Sequence, residues 1–374
     1  FTSGFANGFG YCDLAPPVLI HSGSMTDDRQ DSIGAVETQF FTFGETDAPL
    51  ALSDGSTLGP VTLAYETYGE LNEARDNLVL VFHALSGSQH AAGINRDVSG
   101  IGDRWTPECQ VGWWDNFIGP GKAINTDKFC VLCVNYLGGC YGSTGPSSVN
   151  PATGKPYGGS FPALSVRDSV DAQERLLDPL GVEKVHAVIG GSLGGMMCVT
   201  FATRYPERVD IVVPIAAGLG VTSLQRIHNL EQIYAIEKDP NFRGGDYYEG
   251  APPDTGLALA RMISHKTFLS LHMMEDRARN EVIEPKNGFI FYGINHPMES
   301  YLLNQGRKFV KRVVANTYRR IIKAWQQNDV PTESGAADVD EALARCAHQR
   351  YMVFSIDSDV CFYPEEQGEM MSRL

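Results

Sequence analysis

The sequence predicts an α/β fold, with a mostly parallel central sheet, helices on both of its faces and an inserted helical cap. Three observations predict it. Short apolar β-rich runs alternate with helical patterns along much of the chain. One strand-to-helix junction is a tight glycine-rich turn, GGSLGG at 190–195. The alternation also breaks between about 222 and 315, where helical patterning takes over, and then resumes. A repeated strand–helix–strand rhythm needs crossover connections, and these produce a parallel sheet buried on two sides.

Taken in order, VTLAYETYG (61–69), NLVLVFHAL (77–85) and KFCVLCVNYLGG (128–139) read as early strands. Residues 166–180 place Val166, Val170, Leu176, Leu177 and Leu180 near one helical face. VEKVHAVIGG then gives a strand, GGMMCVTFATRYP a helix and VDIVVPIAA a further strand. The segment 222–315 is mostly helical in pattern and interrupted by DPNFRGGDYYEGAPPDTG, a Gly/Pro/acidic loop. Helices around 316–327 and 339–347 follow, then a buried strand at 351–357 and the start of a last helix. The expected organisation is an N-terminal extension over 1–39, a first core part over 40–221, the cap over 222–315 and a second core part over 316–374. Residues 1–24 read as sequence upstream of the protein proper, with a native extension as the alternative.

Composition narrows the function. The 374 residues carry 30 basic and 45 acidic side chains, a formal charge of −15 that repels nucleic-acid phosphates and favours solubility. No apolar run is long enough to span a bilayer, and the start lacks the basic and apolar regions of a signal peptide. Eight cysteines are scattered. Cys130 and Cys133 lack the second pair a zinc ribbon needs, so they read as reduced core thiols of a cytoplasmic protein, with no metal.

Between a strand and a helix, GGSLGG has the context of a G-x-S-x-G nucleophile elbow. Ser192 must occupy a strained turn, and side chains at 190, 191 or 194 are expected to crowd the adjoining elements. A serine hydroxyl is a weak nucleophile near neutral pH and needs a base oriented by a carboxylate. In this arrangement the acid follows the serine along the chain and the histidine comes last. Asp359 stands just after the late strand, where the acid belongs, with Asp357 as its competitor. None of the nine histidines follows Asp359. Leu193 N–H is the expected first oxyanion donor, and Leu85 N–H, in VFHALSGSQHAAG (81–93), the second. His83 and His90 of the same loop read as residues that hold its shape rather than as the missing base.

Together with NYLGGCYGSTGPSSVNPATGKPYGGSFP (135–162), the segments GWWDNFIGPGKAINTDKF, GGSLGGMM, FRGGDYY, GLALARMISH and ESYLLNQGRKF resemble the homoserine O-acyltransferase family of the α/β-hydrolase fold. The resemblance runs from about residue 40 to the C-terminus. It implies transfer of an acyl group, acetyl in the first instance, from acyl-CoA to homoserine through an acyl-serine, with acyl-CoA as co-substrate and no permanently bound cofactor. By this resemblance Arg261 holds the amino acid's carboxylate, and the protein is a homodimer through its cap helices. It also places the catalytic histidine in a Gly-His-Asp motif beyond the Asp359 loop, so that the chain is expected to stop before its own base.

Departures from the family pattern concern the acceptor. Phe268 stands where tyrosine is usual, Ile233 where an arginine is, and VVANTY where an Asp-Ala-Asn-Ser-Tyr run is common. Serine or another small alcohol, or simple ester hydrolysis, are the alternatives. The locally basic GRKFVKRVVANTYRRIIK (306–323) reads as a solvated helix face, with Arg319 and Arg320 docking coenzyme A phosphates as the other reading.

Overall fold

The computed structural model describes residues 32–45, 48–277 and 293–374. The expectations for residues 1–31, the first 24 included, and for the cap between 278 and 292 lie outside the described residues. Seven strands form the main sheet: β1 (Gln39–Phe43), β2 (Val61–Tyr68), β3 (Leu78–Phe82), β4 (Cys130–Val134), β5 (Val185–Gly191), β6 (Val209–Ile215) and β7 (Arg350–Tyr351). Their spatial order is β1-β2-β4-β3-β5-β6-β7. The pairs β1–β2 and β2–β4 are antiparallel and every other pair is parallel. All the parallel strands therefore end at one edge of the sheet, where an open α/β fold places its ligands.

Strand alternation explains the layers. Leu78, Leu80, Phe82, Leu132 and Val134 point into the larger core, with α1 (Val166–Glu174) and α2 (Leu193–Arg204). Val79, Val81, Val131 and Cys133 point the other way, against Ala91, Ala92, Trp113, Trp114 and Ile118. Every residue of α2 except Arg204 is buried, as expected of a helix that is apolar all round. The run predicted as one helix over 166–180 stops at Glu174. Pro179 accounts for this, because its ring would clash with the Arg175 carbonyl four residues back.

Between the sixth and seventh strands lie α3 (Ser223–Glu237), α4 (Asp254–His265), α5 (Leu271–Arg277) and α6 (Pro297–Arg312). Ile236, Leu257, Ala260 and Phe309 form their common core with Trp105 and Tyr141. Helix α7 (Ala315–Gln326) joins the two bodies, with Tyr318 and Ile322 in the helical core and Ile321 and Trp325 in the sheet core. Short helices α8 (Val330–Ser334) and α9 (Val339–Ala344) precede β7, and α10 (Pro364–Arg373) follows it.

The buried strand expected at 351–357 is a correction. Only Arg350 and Tyr351 pair as a strand, followed by an isolated parallel bridge between Phe354 and Ile215. Met352, Phe354 and Ile356 are exposed. Among the described residues β7 has a neighbour on one side only, so few pairing bonds hold the segment extended.

Candidate active site

At the end of β5 the chain turns sharply at Ser192, whose φ of 57° and ψ of −124° are outside the ordinary regions for a residue with a side chain. Such strain persists only where the surroundings over-determine it. Ser192 N–H donates to Ile215 O at 2.9 Å, and its carbonyl accepts from Gly195 and Met196 as α2 begins. A Cβ at Gly194 would lie 2.2 Å from Phe82 O, and one at Gly190 2.5 Å from the Gly194 backbone. Glycine is therefore required at 190 and 194. At Gly191 a Cβ would meet nothing within 4 Å, so the expected crowding there is absent. The result is a half-buried serine that does not cap its own helix.

The two amides expected from the sequence as oxyanion donors are those of Leu193 and Leu85. Leu193 N–H opens α2, where the helix dipole favours negative charge. Leu85 lies in the loop that follows β3. Among the described residues neither amide donates a backbone hydrogen bond. The loop is held by His83, which is 1% exposed and stacks on Tyr136 with ring centroids 3.6 Å apart. Its Nδ1–H donates to Ala84 O at 2.7 Å and its Nε2 accepts from Tyr136 N–H at 3.4 Å. Burial lowers its pKa to about 4. His90 Nδ1 lies 2.8 Å from the Glu66 carboxylate and its Nε2 3.1 Å from Gln110 O. Both histidines thus have each ring nitrogen engaged, which fits the loop-shaping role read from the sequence.

Asp359 sits one strand further across the sheet edge from β6. Ala216 N–H donates to Phe354 O at 2.9 Å, which continues the row begun by Ser192 and Ile215. The Asp359 carboxylate is buried and accepts from Cys361 N–H at 2.7 Å and Phe362 N–H at 3.0 Å. Burial raises its pKa, and the two amides oppose that. The competing Asp357 is exposed. Sequence reasoning missed the residue that fixes this loop. Gln225 of α3 is 1% exposed and donates from Nε2 to Cys361 O at 2.8 Å. Its Oε1 accepts from Thr222 N–H, completing a capping box. The T-x-x-Q pattern was visible in the sequence, but the tie to Cys361, 136 residues away, was not.

Arg261 on α4 lies over the rings of Phe309, at 4.9 Å, and Phe268, at 5.3 Å. Burial lowers its pKa to about 10, with the Tyr318 hydroxyl opposing the shift and Arg312 adding to it. It stays charged at neutral pH, and no ion pair to it forms among the described residues. Tyr318 lines a small void of about 10 Å³ together with His83, Leu85 and Thr317. Thr267, just past α4, accepts from Val360 N–H at 3.1 Å and so connects α4 to the Asp359 loop.

The basic stretch at 306–323 is largely engaged within the protein. Arg319 pairs with Glu237, and Arg320 donates to Gly159 O at 2.8 Å.

A model of the α/β-hydrolase fold family matches residues 77–305. The chain is 45% identical over 341 residues to a homoserine O-acetyltransferase of Solidesulfovibrio magneticus, covering 91% of this chain and 83% of that protein. It is also 45% identical over 344 residues to a homoserine O-succinyltransferase of Azoarcus sp., covering 92% and 88%. Among solved structures, esterase E22 matches with a TM-score of 0.78 at 27% identity, covering 91% of this chain and 90% of that one. The homoserine O-acetyltransferase of Bacillus anthracis matches with a TM-score of 0.78 at 27% identity, covering 91% and 88%. A strained serine at the sheet edge, the fold built around it and this degree of identity agree: the chain belongs to the homoserine O-acyltransferase family of the α/β-hydrolase fold.

Proposed function

We propose that the protein moves an acyl group from an acyl-CoA thioester to the side-chain hydroxyl of homoserine through an acyl-enzyme on Ser192. The observation that carries this reading is the strained Ser192 turn at the start of α2, where the Leu193 amide donates no backbone hydrogen bond among the described residues; the Leu85 amide of the loop after β3 is likewise unengaged. Ser192 Oγ attacks the thioester carbonyl and the two N–H groups hold the oxyanion. The coenzyme A thiol leaves with a proton, and the serine ester remains. The homoserine hydroxyl then attacks the ester, releasing O-acylhomoserine and the free serine. By the family resemblance Asp359 would orient a histidine base that follows it in sequence and carries the proton. Neither His83 nor His90 is placed to be that base, since both rings are already engaged.

Arg261 suits the acceptor's carboxylate. A half-buried guanidinium held by aromatic faces, with no ion pair among the described residues, gains a bidentate partner when the amino acid binds. The likeness to esterase E22 supports a second reading, hydrolysis of small esters at the same serine. The experiment that separates them measures the fate of the acyl group with and without homoserine. Transfer predicts O-acylhomoserine in proportion to thiol released; hydrolysis predicts free acid at a rate homoserine does not change.

The assembly we propose is a homodimer. Ile227, Leu230 and Tyr234 are 52%, 60% and 60% exposed on one side of α3, and Leu259 of neighbouring α4 is 47% exposed. A stripe of this kind is apolar surface suited to a second copy. Among the described residues no helix is long and apolar enough to cross a membrane. The seven described cysteines are free thiols, which supports the reducing cytoplasm as the compartment.

A further inference from the structure

A buried carboxylate gathers the far end of the loop after β3. Glu66 of β2 is 0% exposed and is bonded at both of its oxygens. Its Oε1 accepts from Thr38 Oγ1 at 2.7 Å and from Asn95 Nδ2 at 2.8 Å. Its Oε2 accepts from the Tyr68 hydroxyl at 2.7 Å and faces His90 Nδ1 at 2.8 Å. The same partners reach further into the loop. The Tyr68 hydroxyl oxygen accepts from Ala91 N–H at 2.7 Å, and Thr38 Oγ1 accepts from Gln89 Nε2 at 3.0 Å. At the near end, His83 is fixed by its stack on Tyr136. The stretch 84–88, which carries Leu85, thus spans two anchors.

The partners of His90 fix how many protons its ring must hold. Nε2 lies 3.1 Å from Gln110 O, a carbonyl that only accepts, so Nε2 carries a hydrogen. A neutral ring would then turn a bare Nδ1 lone pair on the carboxylate, so one more proton belongs between Nδ1 and Glu66. Three other donors already bond Glu66 and favour its ionised form. Burial works against that charge, but the bonds from His90, Asn95 and Tyr68 outweigh it and hold the carboxyl below its usual value. The extra proton is therefore placed on Nδ1, giving an imidazolium against a carboxylate.

Other ionisable groups face this pair from each neighbouring element. Tyr68 and Cys133 of β4 are pushed far above their ordinary values by burial and by the Glu66 charge, and stay neutral. Across the cavity that His90 lines, Glu108 is paired with Lys308, Arg312 is partnered with Tyr141, and Cys109 is a half-buried thiol. Asp115 is turned to Gly93 N–H at 2.8 Å.

We propose that Glu66 and His90 are positioning residues for acyl transfer, and that the proton His90 holds against Glu66 keeps the Leu85 amide in place as an oxyanion donor. This rests on the reading of Ser192 as nucleophile and Leu85 as donor. Removing that proton as pH rises leaves a bare Nδ1 against a buried carboxylate, with no donor between them. The two groups then repel, and the segment carrying Leu85 loses one of its anchors. Acylation thereby acquires an upper pH limit that belongs to the loop rather than to the base serving Ser192.

Nuclear magnetic resonance tests the proton without turnover. In protein labelled with nitrogen-15 histidine, the His90 ring, assigned with the help of His90→Gln, is expected to carry hydrogen on both nitrogens at pH 6. It should lose one by pH 10, and the Leu85 amide signal should move over the same range. A ring with one hydrogen at pH 6, a ring that keeps both at pH 10, or a Leu85 signal that ignores the titration overturns the proposal. The functional half is the rate at which Ser192 takes the acyl group from acyl-CoA without homoserine, which keeps the acceptor's own titration out of the profile. That rate is expected to fall across the His90 titration by up to about 10²–10³-fold, the effect of losing one oxyanion donor. Glu66→Gln can bond a neutral ring through its amide N–H, so it should slow acylation at pH 7 yet show no such fall. A Glu66→Gln enzyme that is slower but keeps the wild-type profile overturns the proposal and leaves Glu66 a structural group. Should that variant not fold, the wild-type titration decides alone. If Ser192 takes no acyl group in any form, the transfer reading falls, while the resonances still decide the proton and its hold on Leu85.

Discussion

Ser192 and Ile215 share one hydrogen bond, from the serine amide to the isoleucine carbonyl at 2.9 Å, and this bond ties a strained backbone to the end of the neighbouring strand. The elbow therefore depends on the sheet edge as a whole. The same edge continues through Ala216 and Phe354 towards Asp359, so Ser192 and the Asp359 loop adjoin one row of backbone hydrogen bonds.

Crowding at the elbow is testable by contrast. Gly194→Ala places a methyl 2.2 Å from Phe82 O, while Gly191→Ala places one in open space. The first should cost about 1–3 kcal/mol or more, as overpacking does, and the second should be nearly neutral. Thermal melts of the two variants check this. Equal melting temperatures would contradict it.

Gln225 is expected to act as a positioning residue for Asp359. Gln225→Ala leaves the Cys361 carbonyl and the Thr222 amide without their partner, a loss of about 1–3 kcal/mol in stability. If Asp359 orients the base, kcat should fall by about tenfold with both KM values little changed. A merely structural role would lower the melting temperature and leave kcat of the folded enzyme intact.

Arg261→Met should raise KM for homoserine by roughly 10–100-fold, the scale of a charge-assisted hydrogen bond. The KM for the acyl donor should hardly move. If both rise together, the side chain serves the helical core rather than the acceptor.

Glu333, 3% exposed on α8, carries a pH signature unrelated to catalysis. Burial pushes its carboxyl from 4.5 up to about 7, although it accepts from Arg167 N–H at 2.8 Å. Between those values the folded state holds a proton that the unfolded chain has lost. Stability is therefore present below pH 4.5 and falls as pH rises through this window, by at most about 3 kcal/mol. Glu333→Gln should raise the melting temperature at pH 8 and leave it unchanged at pH 4. A gap that does not vary with pH would rule this out.

The parts of the site legible in the sequence are those fixed locally. The elbow could be read because its glycines answer to neighbours a few residues away, and the Asp359 loop because it follows the last strand-like run. That run's length was overestimated, since apolar alternation does not say whether a strand has a second neighbour. Arg312, Arg319 and Arg320 looked like parts of one solvated face, yet they face Ser86, Glu237 and Gly159, contacts made by chain folding over long separations. Gln225 and Glu66 were invisible for the same reason.

The most direct measurement is peptide mapping by mass spectrometry after the protein meets an acyl-CoA. The account predicts one acyl group per chain, on the peptide containing Ser192, that disappears on adding homoserine as O-acylhomoserine forms. It also predicts that Ser192→Ala takes no label and loses transfer by about a thousandfold or more. A Ser192→Ala protein that still acylates homoserine at the wild-type rate would contradict it.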